Sequence, residues 1–334
     1  MKPAMKIFAA ALTALGAGSC AMQPPASPES ISAYVSEAER LAGKDLQALL
    51  VLCKPAPAAR PAQELIDKLI AGQIARPAPP PGAAFDNLYF VGGAWASAWA
   101  LRTSQGFILI DALNNAREAE ALIDGGMRKL GLDPAQIRYV VVTHAHGDHY
   151  GGAEYLDAKY RPGWVLSDID WRQTETKLEF SSPHWGPAPK FTPGRDMRVA
   201  DGDFVRLGDG AVKVNITPGH TLGTITPTFE VRERGRTHKA LLWGGTAFNF
   251  GKDIPRLQSY IAATERMAKV AKDEGIDVML SNHAGYDGTV AKLDARAKGA
   301  ATNPFVIGND AVVRGLQVMG ACAKAQRDRF ILEK

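Results

Sequence analysis

The sequence predicts an α/β domain whose functional loops gather at the C-terminal ends of its strands, joined to a helical N-terminal extension. Three observations predict it. Short apolar runs rich in β-branched residues alternate with a helix-spaced segment after residue 86. Four of those runs end directly in polar turns, several bearing histidine. Proline-rich breaks separate helix-spaced stretches before residue 86 from strand-like ones after it.

Bulk composition agrees. The chain has 334 residues, 46% hydrophobic and 22% charged, which suits a folded body and argues against wholesale disorder or a polytopic membrane protein. Its formal charge of +4 comes from 39 basic and 35 acidic residues without Lys/Arg runs. A small-molecule partner is therefore expected and a nucleic acid is not.

Met1 to Met22 opens with Lys2 and Lys6, continues through the apolar run Ile7 to Leu15 and closes in the small residues Gly16 to Ala21. That is the layout of a secretory signal, placed at residues 1–21, and it predicts export to the periplasm. The apolar run is too short for a stable bilayer-spanning helix. Ala17-Gly18-Ser19-Cys20 resembles a bacterial lipoprotein cleavage box, with Ala17 where Leu is usual. Two readings stay open: a lipid anchor through Cys20, or ordinary cleavage near Ala21 that releases a soluble protein. In either case Cys53 and Cys322 remain, and an oxidising compartment would permit them to pair.

Residues 22–85 form the extension. Gln23 to Ser30 reads as a tether; Ser32 to Leu50 and Ala62 to Ala71 carry apolar residues at helical spacing, separated by Pro55 to Pro61. After the break at Pro77 to Pro81, residues 86–334 form the catalytic domain. Strands are expected at Leu88 to Val91, Ala98 to Arg102 and Gly106 to Ile110. A helix over Ala116 to Leu130 and a strand over Tyr139 to Thr143 complete a strand–helix–strand unit, and the later strands are Val212 to Ile216, Ala240 to Trp243 and Val278 to Ser281. Ala311 to Leu332 suits a final helix over the sheet.

His144-Ala145-His146-Gly147-Asp148-His149 sets three of the chain's seven histidines and a carboxylate in six consecutive positions, directly after a β-branched run. One tight loop can aim such groups at adjacent metals, and imidazole nitrogen with carboxylate oxygen suits zinc. Gly147 is read as the residue that lets the backbone turn. His220, in Thr217-Pro218-Gly219-His220-Thr221, and His283, after Val278 to Ser281, also follow apolar strands and are placed at the same site. His184 and His238 read as surface residues, while Trp185 and Phe250 either line an apolar cleft or simply pack.

These motifs resemble the metallo-β-lactamase superfamily: its His-x-His-x-Asp-His loop, its Gly-His-Thr turn and its late His, over roughly Asp86 to the end. The resemblance implies an αββα sandwich and two Zn2+ ions, one held by His144, His146 and His220, the other by Asp148, His149 and His283. It assigns Asp111 as the buried acid bracing the metal loop. Many hydrolases of the superfamily add an Asp that bridges the metals, but Trp243-Gly244-Gly245-Thr246-Ala247-Phe248 offers no carboxylate and no cysteine. The set is most similar to the third subclass of class B β-lactamases, with a departure: serines that often contact the drug's carboxylate in this loop are replaced by Gly245 and Ala247, leaving Thr246 as the substitute.

Zinc held this way lowers the pKa of water towards about 7, so no Ser or Cys nucleophile is required. The reading is a metal-dependent hydrolase of β-lactam amides, with Asp148 as the catalytic residue that orients the attacking water, and with Thr246 and Trp185 as substrate contacts. The alternatives are a hydrolase of a lactone, thioester or phosphoester on the same scaffold, and a non-catalytic zinc protein.

Overall fold

The computed structural model describes residues 25–333; the signal, the lipoprotein-like box and Cys20 lie outside the described residues. Among the described residues, no helix is long and apolar enough to cross a membrane.

Two sheets face each other. The first holds seven strands in chain order: β1 (Gly82–Phe85), β2 (Leu88–Phe90), β3 (Trp99–Thr103), β4 (Gly106–Ile110), β5 (Ile137–Val141), β6 (Gly163–Ser167) and β7 (Met197–Val199). Strands β1 to β4 pair antiparallel, and β4 to β7 pair parallel. The second sheet contains β8 (Phe204–Leu207), β9 (Gly210–Lys213), β10 (Thr228–Glu233), β11 (Arg236–Trp243) and β12 (Val278–Ser281), in the order β12-β11-β10-β9-β8. Only β11 and β12 run parallel in it.

Strand periodicity sorts the side chains into layers, because successive residues point to opposite faces. Ile108 and Ile110 of β4 turn inward to meet Val231, Ala240 and Leu242 of the second sheet. Leu109 and its neighbours Val140 and Val142 turn outward, onto Ala119, Ile123 and Met127 of the segment after β4. Leu241 and Trp243 of β11 likewise face away from the inter-sheet core, onto the helices Ile254–Glu274 and Asn309–Leu332. The layers run helix, sheet, sheet, helix, as the αββα expectation requires.

The N-terminal extension joins this scaffold through the C-terminal helix. Helix Pro28–Ala42 starts at Ser27, which caps it with a reciprocal Ser27–Ser30 capping box, so the tether is shorter than its proline content suggested. The single helix expected over Ser32 to Leu50 stops instead at Gly43, whose φ of 53° suits a residue without Cβ, and a short 3-10 turn, Gln47–Cys53, follows. Cys53 in that turn is bonded to Cys322 of the last helix, the pairing that the cysteine count permits. A second helix, Gln63–Ile74, leads into β1.

Two further differences concern the main domain. The helix expected over Ala116 to Leu130 carries a wide π-type turn at Ala119–Asp124. Strand β9 ends at Lys213 rather than Ile216; beyond it Asp201 captures the Ile216 amide at 2.7 Å and Asn215 donates from its side chain to the Thr226 carbonyl at 3.0 Å, so side-chain bonds join the remaining isolated backbone ones.

Candidate metal centre

The loops that follow β4, β5, β11 and β12 converge at one end of the sandwich with the turn at His220. There the six expected ligands form two groups: His144 with His146 and His220, and Asp148 with His149 and His283. The donor atoms within each group lie within 4.8 Å of one another.

Hydrogen bonds on the far side of each ring set what faces inward. His144 Nδ1 lies 2.8 Å from the Gly244 carbonyl and His220 Nδ1 2.7 Å from the Ala247 carbonyl. A carbonyl only accepts, so both rings carry their proton on Nδ1 and turn the Nε2 lone pair inward. Those two lone pairs approach His146 Nδ1 at 2.9 and 3.1 Å. In the second group, His149 Nδ1 lies 2.8 Å from Asp111 Oδ2 and His283 Nδ1 3.3 Å from the Trp95 carbonyl, while both Nε2 atoms face Asp148 Oδ2 at 3.4 and 3.5 Å. Converging nitrogen and carboxylate donors with their outer N–H groups anchored are what a divalent metal needs, so the residues fit two metal ions.

The electrostatics agree. Burial pushes His144 and His220 well below the usual imidazole pKa, and neighbouring imidazoles add to it. His283 is pushed down to about 4, first by burial and then by the charge on His149. Burial opposes the charge on His149 too, but Asp148 and Asp111 outweigh it and lift its pKa to about 10. Burial would raise Asp148, yet His149 and His283 hold it well below the usual carboxylate range.

Asp111 stands where the brace was expected. It adopts φ 63° at the end of β4, accepts from the Thr143 amide at 2.7 Å and the Thr143 hydroxyl at 3.0 Å, and turns its other contact to His149. The surrounding glycines serve close approach. Gly147 does not need a left-handed backbone, contrary to its reading as a turn residue; a Cβ there would sit 2.4 Å from the Trp185 side chain. At Gly244 it would sit 1.8 Å from the Ile225 carbonyl, which lets the loop pass close enough to reach His144.

A cavity of about 240 Å3 opens on His146, Asp148, His220 and His283. Trp95, Phe180 and Trp185 line it, and the second helix of the extension, Gln63–Ile74, contributes Ile66, Leu69 and Ile70. Trp185 therefore lies where a substrate contact was expected. Thr246 does not. Gly245 packs against the His220 Cβ, and the turn buries Thr246 towards Ser281, 3.4 Å from its hydroxyl, leaving Ala247 and Asn249 on the cavity wall. Phe250 is buried in the helical layer, with the Arg256 guanidinium 4.4 Å above its ring. His184 lines a neighbouring groove beyond Trp185, and His238 pairs with Asp277 at 2.6 Å.

Sequence reasoning missed several residues of the site. Asp170 accepts from the Ala145 amide at 2.9 Å and the Thr221 hydroxyl at 3.0 Å, tying the ligand loop to the His220 turn. Asn282 donates to the Gly244 carbonyl at 2.7 Å. The Trp95 ring stacks on His283 with centroids 5.2 Å apart. Glu179 and Arg256 form an ion pair at 2.6 Å beside His146. Each is an ordinary polar or aromatic residue far in sequence from its partner; the position of Asp170 after β6, on the ligand side of the sheet, was the one available signal.

Comparison with known proteins agrees with this geometry. Residues 95–233 match the metallo-beta-lactamase superfamily. The chain is 35% identical to a hydroxyacylglutathione hydrolase of Rhodopseudomonas palustris over 112 residues, which span 34% of each protein. It is 26% identical to the bovine acyl-coenzyme A thioesterase MBLAC2 over 58% of this chain and 75% of that one. Its structure is similar to that of BJP-1, a subclass B3 metallo-beta-lactamase of Bradyrhizobium japonicum, with a TM-score of 0.61, 28% identity, and coverage of 72% of this chain and 90% of that one. The sandwich, the two ligand groups and these matches show that the chain carries a metallo-beta-lactamase superfamily domain.

Proposed function

We propose that the protein is an exported, zinc-dependent hydrolase that opens the amide bond of β-lactams. One observation carries the reading. The loop after β11 supplies only backbone carbonyls to the ligands, from Gly244 and Ala247, so the donors divide into His-His-His and Asp-His-His groups without a bridging carboxylate. The resemblance to subclass B3 β-lactamases along most of their length supports it. The layout of residues 1–21 supports export to the periplasm, as does the Cys53–Cys322 bond, a kind of cross-link that persists in oxidising compartments.

Two zinc ions in these groups would supply an activated water at neutral pH and Lewis acidity towards a carbonyl oxygen. The chain's own residues do the rest. Asp148, which lines the cavity, would orient that water, and Asp111 keeps His149 in one tautomer. Trp185, Phe180 and the aliphatic face of Gln63–Ile74 exclude bulk water and hold the substrate's apolar part.

A thioester is the second reading, favoured by the hydroxyacylglutathione hydrolase and thioesterase relatives and by the loss of Thr246 from the cavity wall. The test is turnover of a penicillin, a cephalosporin, a carbapenem and an acyl thioester by zinc-loaded protein, with and without chelator. β-Lactam opening that chelation abolishes and zinc restores is expected. Thioester turnover with no β-lactam opened at micromolar enzyme would replace the first reading by the second.

A further inference from the structure

Four of the five clustered histidines hold their outer nitrogen against a carbonyl or a carboxylate. His146 is the exception. It turns Nδ1 towards His144 and His220, so Nε2 points away from the donor group, buried and without a hydrogen-bond partner among the described residues. A metal on Nδ1 leaves the proton on Nε2, and a buried N–H with no acceptor is costly.

The acidic group facing that nitrogen is Glu179, with Oε2 at 3.8 Å. Two arginines hold this carboxylate. Arg256 donates to Oε1 at 2.6 Å and to Oε2 at 2.8 Å, and Arg60, from the N-terminal extension, contacts Oε1 and also donates to the Glu179 carbonyl at 3.0 Å. Arg256 reaches on to the Gly219 carbonyl at 2.6 Å and to the His220 carbonyl. A single Arg256–Glu179 pair, 10% exposed on both sides, therefore links the turn that delivers His220 to the carboxylate facing His146, and the extension is tied to it through Arg60.

We infer that Glu179 is a positioning residue for the three-histidine group. It serves as the outer acceptor for His146 Nε2–H when a metal is bound, held in place by Arg256 and by Arg60 of the extension. A shift of about 1 Å brings Oε2 to hydrogen-bond distance. The carboxylate then fixes the tautomer and raises the basicity of His146, as Asp111 does for His149. The inference rests on the metal reading of the site but on no particular substrate.

The experiment measures metal binding rather than turnover. Wild type, Glu179→Ala, Glu179→Gln and Arg60→Ala are stripped of metal and titrated with Co2+ and Zn2+ against a competing chelator. Visible Co2+ spectra follow the two groups, and melting is recorded with and without metal. Glu179→Ala is expected to weaken the first of the two sites, the three-histidine one, by about 10- to 100-fold and leave the Asp-His-His site unchanged. Glu179→Gln, which keeps a neutral acceptor and the side-chain volume, should lose about 3- to 10-fold, and Arg60→Ala less again. A purely structural clamp would lower melting equally with and without metal, whereas the inferred role shrinks the stabilisation that metal confers.

Wild-type affinity at both sites in Glu179→Ala, or in Glu179→Gln should the alanine variant not fold, overturns the inference. Wild type that binds no metal at all overturns the metal reading beneath it, so the two failures are distinct.

Discussion

Asp111 and His149 form an enclosed carboxylate–imidazole pair, Oδ2 lying 2.8 Å from Nδ1 with neither side chain more than 1% exposed. Burial raises the pKa of Asp111, and His149 opposes that rise. The pair binds the end of β4 to the ligand loop after β5, because the same carboxylate accepts from Thr143.

Asp111→Asn isolates the charge in this pair, since asparagine tolerates the left-handed backbone found at Asp111. The variant should lose about 1–3 kcal/mol of stability in urea unfolding. Its Asp-His-His group should bind metal about 10- to 100-fold more weakly. Chelator competition showing wild-type affinity would count against the brace.

The two groups should differ in pH dependence. His149 keeps its Nε2 proton up to about pH 10 in the metal-free protein, so binding at the Asp-His-His group must release that proton. Affinity there should rise about tenfold per pH unit through the neutral range and level off above the His149 pKa. His144 and His220, pushed low by burial, are already neutral, so the three-histidine group should show a flatter slope. Calorimetry in buffers of different ionisation heat counts the protons; equal release at both groups would contradict the assignment.

Gly147→Ala tests the seat of Trp185. The added Cβ would overlap the indole at 2.4 Å, so the ring must leave its place over the ligand loop. Displacing a cavity wall by about 1 Å can cost about 100-fold in kcat/KM while metal content stays at the wild-type level. A crystal structure of the variant with Trp185 unmoved would refute this account.

Breaking the Cys53–Cys322 bond should loosen the extension first. The cross-link closes a separation of 269 residues and ties the 3-10 turn to the last helix. Cys53→Ala with Cys322→Ala should cost about 2–5 kcal/mol. Limited proteolysis should then cut near Pro55 to Pro61, between that turn and the helix that walls the cavity. Melting curves that coincide with and without reductant would exclude the effect.

Much of the site is legible because its chemistry is local. Six residues from His144 to His149 carry four donors; His283 follows the end of the apolar strand β12, and His220 is marked by the Pro-Gly turn that precedes it rather than by a strand end. Asp111 is legible for the same reason, as the first polar residue after β4. Thr246 was misplaced because sequence does not show side-chain direction in a turn; the packing of Gly245 on His220 determines which neighbour faces the cavity. Glu179, Asn282 and Arg256 left no local pattern and Asp170 only its place after β6, since each acts on a residue brought near only by the folded loops.

The sequence by itself determined the donor types and most of the strands that carry them, because periodicity and ligand chemistry are properties of neighbouring residues; the layered sandwich was implied only by the family resemblance. The division of the donors into two groups is the one the family resemblance implied, while tertiary structure alone decided which nitrogen of each ring faces inward and that the second helix of the extension, Gln63–Ile74, closes one wall of the cavity. Those outcomes depend on carbonyls, carboxylates and packed rings contributed from distant segments, and only the packed sheets bring such groups within hydrogen-bond reach of one another.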